Sequence, residues 1–117
     1  MNKTPMNKTP GDRSQVVVGI ADQLPIPNHA TTSRAVIDNT VTRVVMFAFD
    51  ACEQLTEHTA APPVVVQLIR GRLRFEVADG SHELDPGDVV YLAPGEPHAL
   101  EAIEPSLLSL VLIKNPT

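Results

Sequence analysis

Gly87-Asp88-Val89-Val90-Tyr91-Leu92-Ala93-Pro94-Gly95-Glu96-Pro97-His98 is the stretch that decides the fold. It reads as a tight turn, a short apolar strand, a Pro-Gly turn, and a histidine at the start of the next strand. Proline presets φ for the reversal, and glycine accepts the conformations a side chain disfavours. A histidine delivered in this way points into the mouth of a small β-barrel.

Outward from this stretch the pattern repeats. Apolar runs fall at Arg34–Ile37, Val41–Phe49, Val64–Ile69, Leu73–Val77, Val89–Leu92, Ala99–Ile103 and Leu107–Ile113. Turn residues bound each one, among them Asp38-Asn39, Pro62-Pro63, Asp85-Pro86-Gly87 and Glu104-Pro105. Short strands at this spacing predict an all-β sandwich or barrel. Ala78-Asp79-Gly80-Ser81 predicts a hairpin to a strand at Ser81–Leu84, with Asp79-Gly80 supplying the positive φ of a type I′ turn.

Arg72 to Val77 alternates, which predicts Leu73, Phe75 and Val77 inward and Arg72, Arg74 and Glu76 in water. Val44–Phe49, Val64–Ile69 and Leu107–Ile113 are apolar on both faces. One face can line the barrel, and the other needs a cover. The expectation is a homodimer, the alternative being cover by the chain's own segment 15–37.

The chain has 117 residues and a formal net charge of −5. That length suits one domain, expected over 14–117, with 1–13 a disordered tail that begins with the duplicated Met1–Pro5 and Met6–Pro10. Residues 1–34 carry four basic and two acidic residues, whereas 35–117 carry five basic and twelve acidic. An acidic globular part argues against nucleic acid as a partner. One cysteine, Cys52, forbids an intrachain disulfide and makes a reducing cytoplasm the expected location. No run of apolar residues is long enough to span a membrane as a helix.

These elements together resemble the single-domain cupins, whose fold is a double-stranded β-helix, a jelly-roll barrel. The family's second motif, Gly-x5-Pro-x-Gly-x2-His-x3-Asn, is matched by Gly87, Gly95 and His98, with Ala93 at the proline position and Ala102 at the asparagine. The first, Gly-x5-His-x-His-x(3–4)-Glu-x6-Gly, survives at His58 and Gly71. Cys52, Ala60 and Val64 replace its opening glycine, second histidine and glutamate. The resemblance spans residues 41–113.

In metal-containing cupins the three histidines and the glutamate hold one divalent ion. Two of those four positions are aliphatic here. A zinc or non-haem iron site keeps three protein ligands, and Val64 also removes the offsetting negative charge. Burying a valine stabilises a fold by about 1.5–3 kcal/mol, whereas an unpaired buried carboxylate costs several. The replacements describe a pocket that does not depend on metal.

The resemblance therefore implies a small-molecule-binding barrel. His58 and His98 would anchor a polar group at the mouth, and Val64, Val66, Leu73, Phe75 and Val90 would line an apolar cavity. The alternative is a metal-dependent enzyme of dioxygenase, isomerase or decarboxylase type, with Zn, Fe, Mn or Ni on His58 and His98. His82, which shares the parity of Leu84, would then be a third ligand. Gln67 should point away from this wall, Glu57 should alternate away from His58, and Glu96 should be a solvated loop charge. Cys52 is expected as a small buried residue. A third reading is a dimeric sensor or accessory protein. Similar domains occur joined to transcription regulators, but a helix-turn-helix pattern is absent here.

Overall fold

The structure, a computed structural model, describes residues 10–114. After a one-turn helix, α1 (Ile20–Gln23), come nine strands: β1 (Thr31–Asp38), β2 (Thr42–Phe49), β3 (Gln54–His58), β4 (Val64–Arg70), β5 (Leu73–Val77), β6 (Gly80–Leu84), β7 (Val89–Leu92), β8 (His98–Ala102) and β9 (Ser106–Ile113). They form a five-stranded sheet, β1-β2-β9-β4-β7, facing a four-stranded sheet, β3-β8-β5-β6. Every pairing is antiparallel. This is the jelly-roll barrel.

The core lies between the sheets. Phe49, Val64, Val66, Leu68, Leu73, Phe75, Leu92, Leu100 and Leu108 are all buried there. Leu73 and Phe75 face inward as the alternation predicts. Arg72 and Arg74 turn outward into a charge ladder: Arg72 pairs with Glu83 and Asp85, and Arg74 with Glu101 and Glu83.

The hairpin at residues 78–81 has a different turn from the one expected. Val77 pairs with Gly80, so Ala78-Asp79 make the reversal and Gly80 already belongs to β6. The positive φ is at Gly80 (138°), not at Asp79. The glycine that favours the hairpin leaves the turn rather than forming it.

Gly71 explains its place in the first motif. Its φ is +91°, and a Cβ there would run into the Pro105 carbonyl and Ser106. Only glycine lets the β4–β5 turn pass so close to the start of β9.

The outer face of the five-stranded sheet is partly covered from within the chain. Leu24, Ile20, Ala21 and Ile26 pack on Met46, Ala48, Leu107, Val36 and Ile69 as a second apolar cluster. An Arg70–Asp22 ion pair of 2.9 Å and a hydrogen bond from Asn39 Nδ2 to Gln15 Oε1 of 3.0 Å fasten this segment. Val16–Val18 are not a strand; they are exposed, with Val16 and Val17 bordering an open groove alongside Val36, Val44 and Met46. Val89 and Tyr91 on β7 and Ile113 on β9 are also exposed.

Most of the tail expected over 1–13 lies outside the described residues. Pro10–Arg13 form a turn whose Gly11 N–H donates to Thr40 Oγ1 at 2.8 Å. Among the described residues no helix is long and apolar enough to cross a membrane.

Candidate functional site

His58 ends β3 and His98 opens β8, and the two are paired residues of one ladder. Simple alternation would not bring them together. Gln54 pairs with Glu101 and Leu55 with Leu100, which in a regular ladder would set Glu57 opposite His98. The register instead shifts between Leu55 and His58. This bulge leaves Thr56 and Glu57 facing Ala99, and it puts His58 on the inner side. Glu57 is exposed, as expected, but the bulge is what leaves it outside.

The imidazole centroids lie 4.1 Å apart with 60° between ring planes, an edge-on contact. His98 also stacks on Phe75, with centroids 6.0 Å apart and planes 4° apart. His98 is 5% exposed, whereas His58 sits exposed on the rim above it.

Backbone carbonyls set both tautomers. His58 Nδ1 lies 2.9 Å from Thr56 O, and His98 Nδ1 lies 3.0 Å from Glu96 O. A carbonyl oxygen only accepts, so each Nδ1 is the protonated donor. In the neutral rings both Nε2 atoms are therefore free lone pairs. Among the described residues neither Nε2 has a hydrogen-bond partner. For the buried His98 this is an orphaned polar atom, which native structures rarely leave without water or ligand.

The space behind the pair is small. Phe47, Leu55, Val66, Phe75, His98 and Leu110 surround a hollow of about 10 Å³, room for about one water. Of the residues expected to line a pocket, Val66, Phe75 and His98 do so. Leu73, Val64 and Val90 belong to the packed core, with Val64 and Val90 on the adjacent, paired strands β4 and β7. His58 does not border the hollow. A second, open space of about 150 Å³ lies on the outer face of the four-stranded sheet, lined by Glu57, Glu76, Val77, Pro97 and Ala99 with His98 at the start of β8.

The remaining candidates lie elsewhere. His82 pairs with Phe75 across β5–β6, yet its ring is exposed on the edge strand and contacts Asp79 Oδ1 at 2.8 Å. Gln67 is exposed and donates to Gly87 O at 3.2 Å. Glu96 is spent on structure: its Oε2 accepts the Ala78 N–H at 3.1 Å. Cys52 is exposed rather than buried. Its φ of 72° is the left-handed conformation that explains a glycine at this motif position.

Asp50 begins the loop from β2 to β3. Its carboxylate accepts the His29 N–H at 2.7 Å and the Ala51 N–H at 2.8 Å. The His29 bond first, and the Ala51 bond next, hold its pKa below the ordinary aspartate value.

The donors present do not fit a resident divalent ion. Ala60 and Val64 offer no ligand atoms. Among the described residues no three His, Cys, Asp or Glu side chains gather closely enough to hold one. What the arrangement offers is a pair of lone pairs at the mouth of an apolar barrel.

The comparisons with known proteins agree with the fold. Residues 44–112 match the family model described as AraC-like ligand binding domain. A conserved protein of unknown function from Streptococcus pyogenes superposes with a TM-score of 0.78 at 19% identity, covering 90% of this chain and 92% of that one. A cupin superfamily protein from Desulfitobacterium hafniense gives 0.78 at 14% identity, covering 88% and 94%. The DMSP lyase DddQ from Ruegeria pomeroyi gives 0.68 at 15% identity, covering 73% of this chain and 47% of that one. At these identities the likeness is one of fold. No curated protein matches the chain.

Proposed function

The chain belongs to the AraC-like ligand-binding domain family, and from that premise we propose that it binds a small molecule at the barrel mouth through His58 and His98, with no resident metal. The observation that carries this reading is the orphaned Nε2 of a histidine only 5% exposed, set beside a second imidazole 4.1 Å away. Each ring spends Nδ1 on its own backbone, so both present an acceptor to whatever enters. The hollow behind holds about one water. The body of the ligand therefore lies at the rim, and only a small group reaches His98.

The protein acts in the cytoplasm as a homodimer in this reading, without contact to nucleic acid or membrane. The acidic globular part supports the absence of nucleic acid, and the single cysteine supports the location. Exposed Val89, Tyr91 and Ile113 mark the part of the five-stranded sheet that the N-terminal segment leaves uncovered, and they support pairing with a second copy. A dimer by light scattering that Tyr91→Lys converts to monomer is the expected outcome. A monomeric wild type at micromolar concentration would contradict it.

The binding claim is tested by a thermal-shift screen of small alcohols, amines and carboxylates, run beside elemental analysis of untagged protein. The expected hits raise Tm in the wild type and vanish in both His58→Ala and His98→Gln, with metal far below one per chain. Hits that survive both substitutions would refute the site. One metal per chain, lost in His98→Gln, would replace the proposal with the enzymatic alternative.

A further inference from the structure

We propose that the groove beside the N-terminal segment receives Tyr91 of a second copy of the chain, each copy filling the groove of the other. The inference rests on the homodimer reading and adds which residues of the two copies meet. The outer face of the five-stranded sheet carries one apolar row across its whole width. Ile37 pairs with Val44, Val44 with Val111, Val111 with Val65, and Val65 with Tyr91, so the row runs from β1 to β7 through the central strand β9. Met46, Ser109, Gln67 and Val89 form the next row on the same face, and none of them is charged. Arg34, opposite Met46 on the edge strand β1, closes that second row at the rim.

The two ends of the apolar row have complementary shapes. At the β1–β2 end the N-terminal segment rises over the sheet and leaves an open groove of about 560 Å³, with Val16, Val17, Ile37, Val44 and Met46 among its walls. At the other end β7 is an edge strand, and Tyr91 stands 62% exposed. Every exposed large apolar side chain among the described residues belongs to the five-stranded sheet, its β1–β2 turn or the N-terminal segment. The four-stranded sheet instead presents the charge ladder of Arg72, Arg74, Glu83 and Glu101.

A second copy is the occupant this arrangement fits. An isologous pair has one two-fold axis, so each contact occurs twice. With that axis parallel to the strands and over β9, the row lies on its own reversed copy, Val111 against the partner's Val111. The bare β7 end of each copy then meets the raised end of the other, and each Tyr91 enters the opposite groove. An axis across the strands would set the two raised N-terminal segments against each other, hold the sheets apart and leave both grooves empty. Strands spaced about 4.8 Å and rising about 3.4 Å per residue make a five-stranded face roughly 24 Å wide and, over the eight residues of β2 and β9, roughly 27 Å long. That footprint is of the size a stable dimer needs, about 800 Å² of accessible surface per partner.

The test is an isotope-filtered NOE experiment on a mixture of ¹³C-labelled and unlabelled wild-type copies, which reads contacts between copies alone. The proposal expects contacts from the Tyr91 ring to the methyls of Ile37 and Val44. A dimer in which Tyr91 meets the partner's Tyr91, or in which the groove methyls contact a copurified small molecule, would overturn the arrangement and leave the dimer standing. A monomer would overturn both. Val44→Glu and Tyr91→Lys supply the second readout. Each should weaken self-association at least tenfold, and mixing the two should recover a heterodimer, because one exchanged contact becomes Glu with Lys and the other stays native. A mixture that associates no better than either variant alone would contradict the pairing of position 44 with position 91.

Discussion

His58 and His98 meet edge-on at 4.1 Å because β3 carries one residue too many for its ladder with β8. The bulge at Thr56-Glu57 converts an outward histidine into an inward one. It also brings the Thr56 carbonyl within 2.9 Å of Nδ1, which fixes the proton on the far side of the ring from the site.

Deleting Thr56 should therefore leave the pair intact. With one bulge residue removed, Leu55, Glu57 and His58 fall opposite Leu100, Ala99 and His98 in a regular ladder. The contact between the two imidazoles should persist as a nuclear Overhauser effect in a folded deletion variant. Its loss from a folded variant would mean that the bulge does more than correct the register.

Two motif positions should respond in opposite directions. Cys52→Gly relieves a non-glycine residue held at φ 72°, and should stabilise the fold by about 1 kcal/mol. Gly71→Ala places a methyl against the Pro105 carbonyl at φ +91°, and should cost at least about 2 kcal/mol. Urea midpoints measure both. A Cys52→Gly variant no more stable than the wild type would mean the loop bears no conformational cost at that residue.

Asp50 should contribute to the acid limb of stability. Its folded pKa is depressed by the His29 and Ala51 N–H groups. Its contribution is thus present above the unfolded value of about 3.9 and is lost as pH falls through the lower folded value. Asp50→Asn should lower stability near neutrality, and the difference from wild type should shrink below about pH 4. A difference that stays constant from pH 7 to pH 3 would contradict the carboxylate's role.

Much of this was legible in the chain. The alternation of Leu73, Phe75 and Val77 and the turn at Pro94-Gly95 depend on local chemistry, and both β5 and the delivery of His98 follow from them. Strand β3 was not legible as a strand, because Gln54–His58 has one aliphatic residue, Leu55, and lies on a sheet edge where little of it is buried. The bulge has no sequence signal of its own; it appears only when β3 is laid against β8. His82 has the right parity but sits on the edge strand β6, where no neighbour encloses it and Asp79 takes the ring. Cys52 looked like a core residue by type, whereas its position in a tight turn governs its exposure. The volume of the hollow depends on how Phe47, Phe75 and the leucines interlock, and residue identities do not determine that.

The most direct test of the account is the protonation pattern of the two imidazoles, read from long-range ¹H–¹⁵N correlations of the folded protein near neutral pH. The account predicts that in their neutral form His58 and His98 both carry the proton on Nδ1 and leave Nε2 bare, with a cross-relaxation contact between the rings. A proton on Nε2 of neutral His98, or the absence of any contact between the rings, would contradict it.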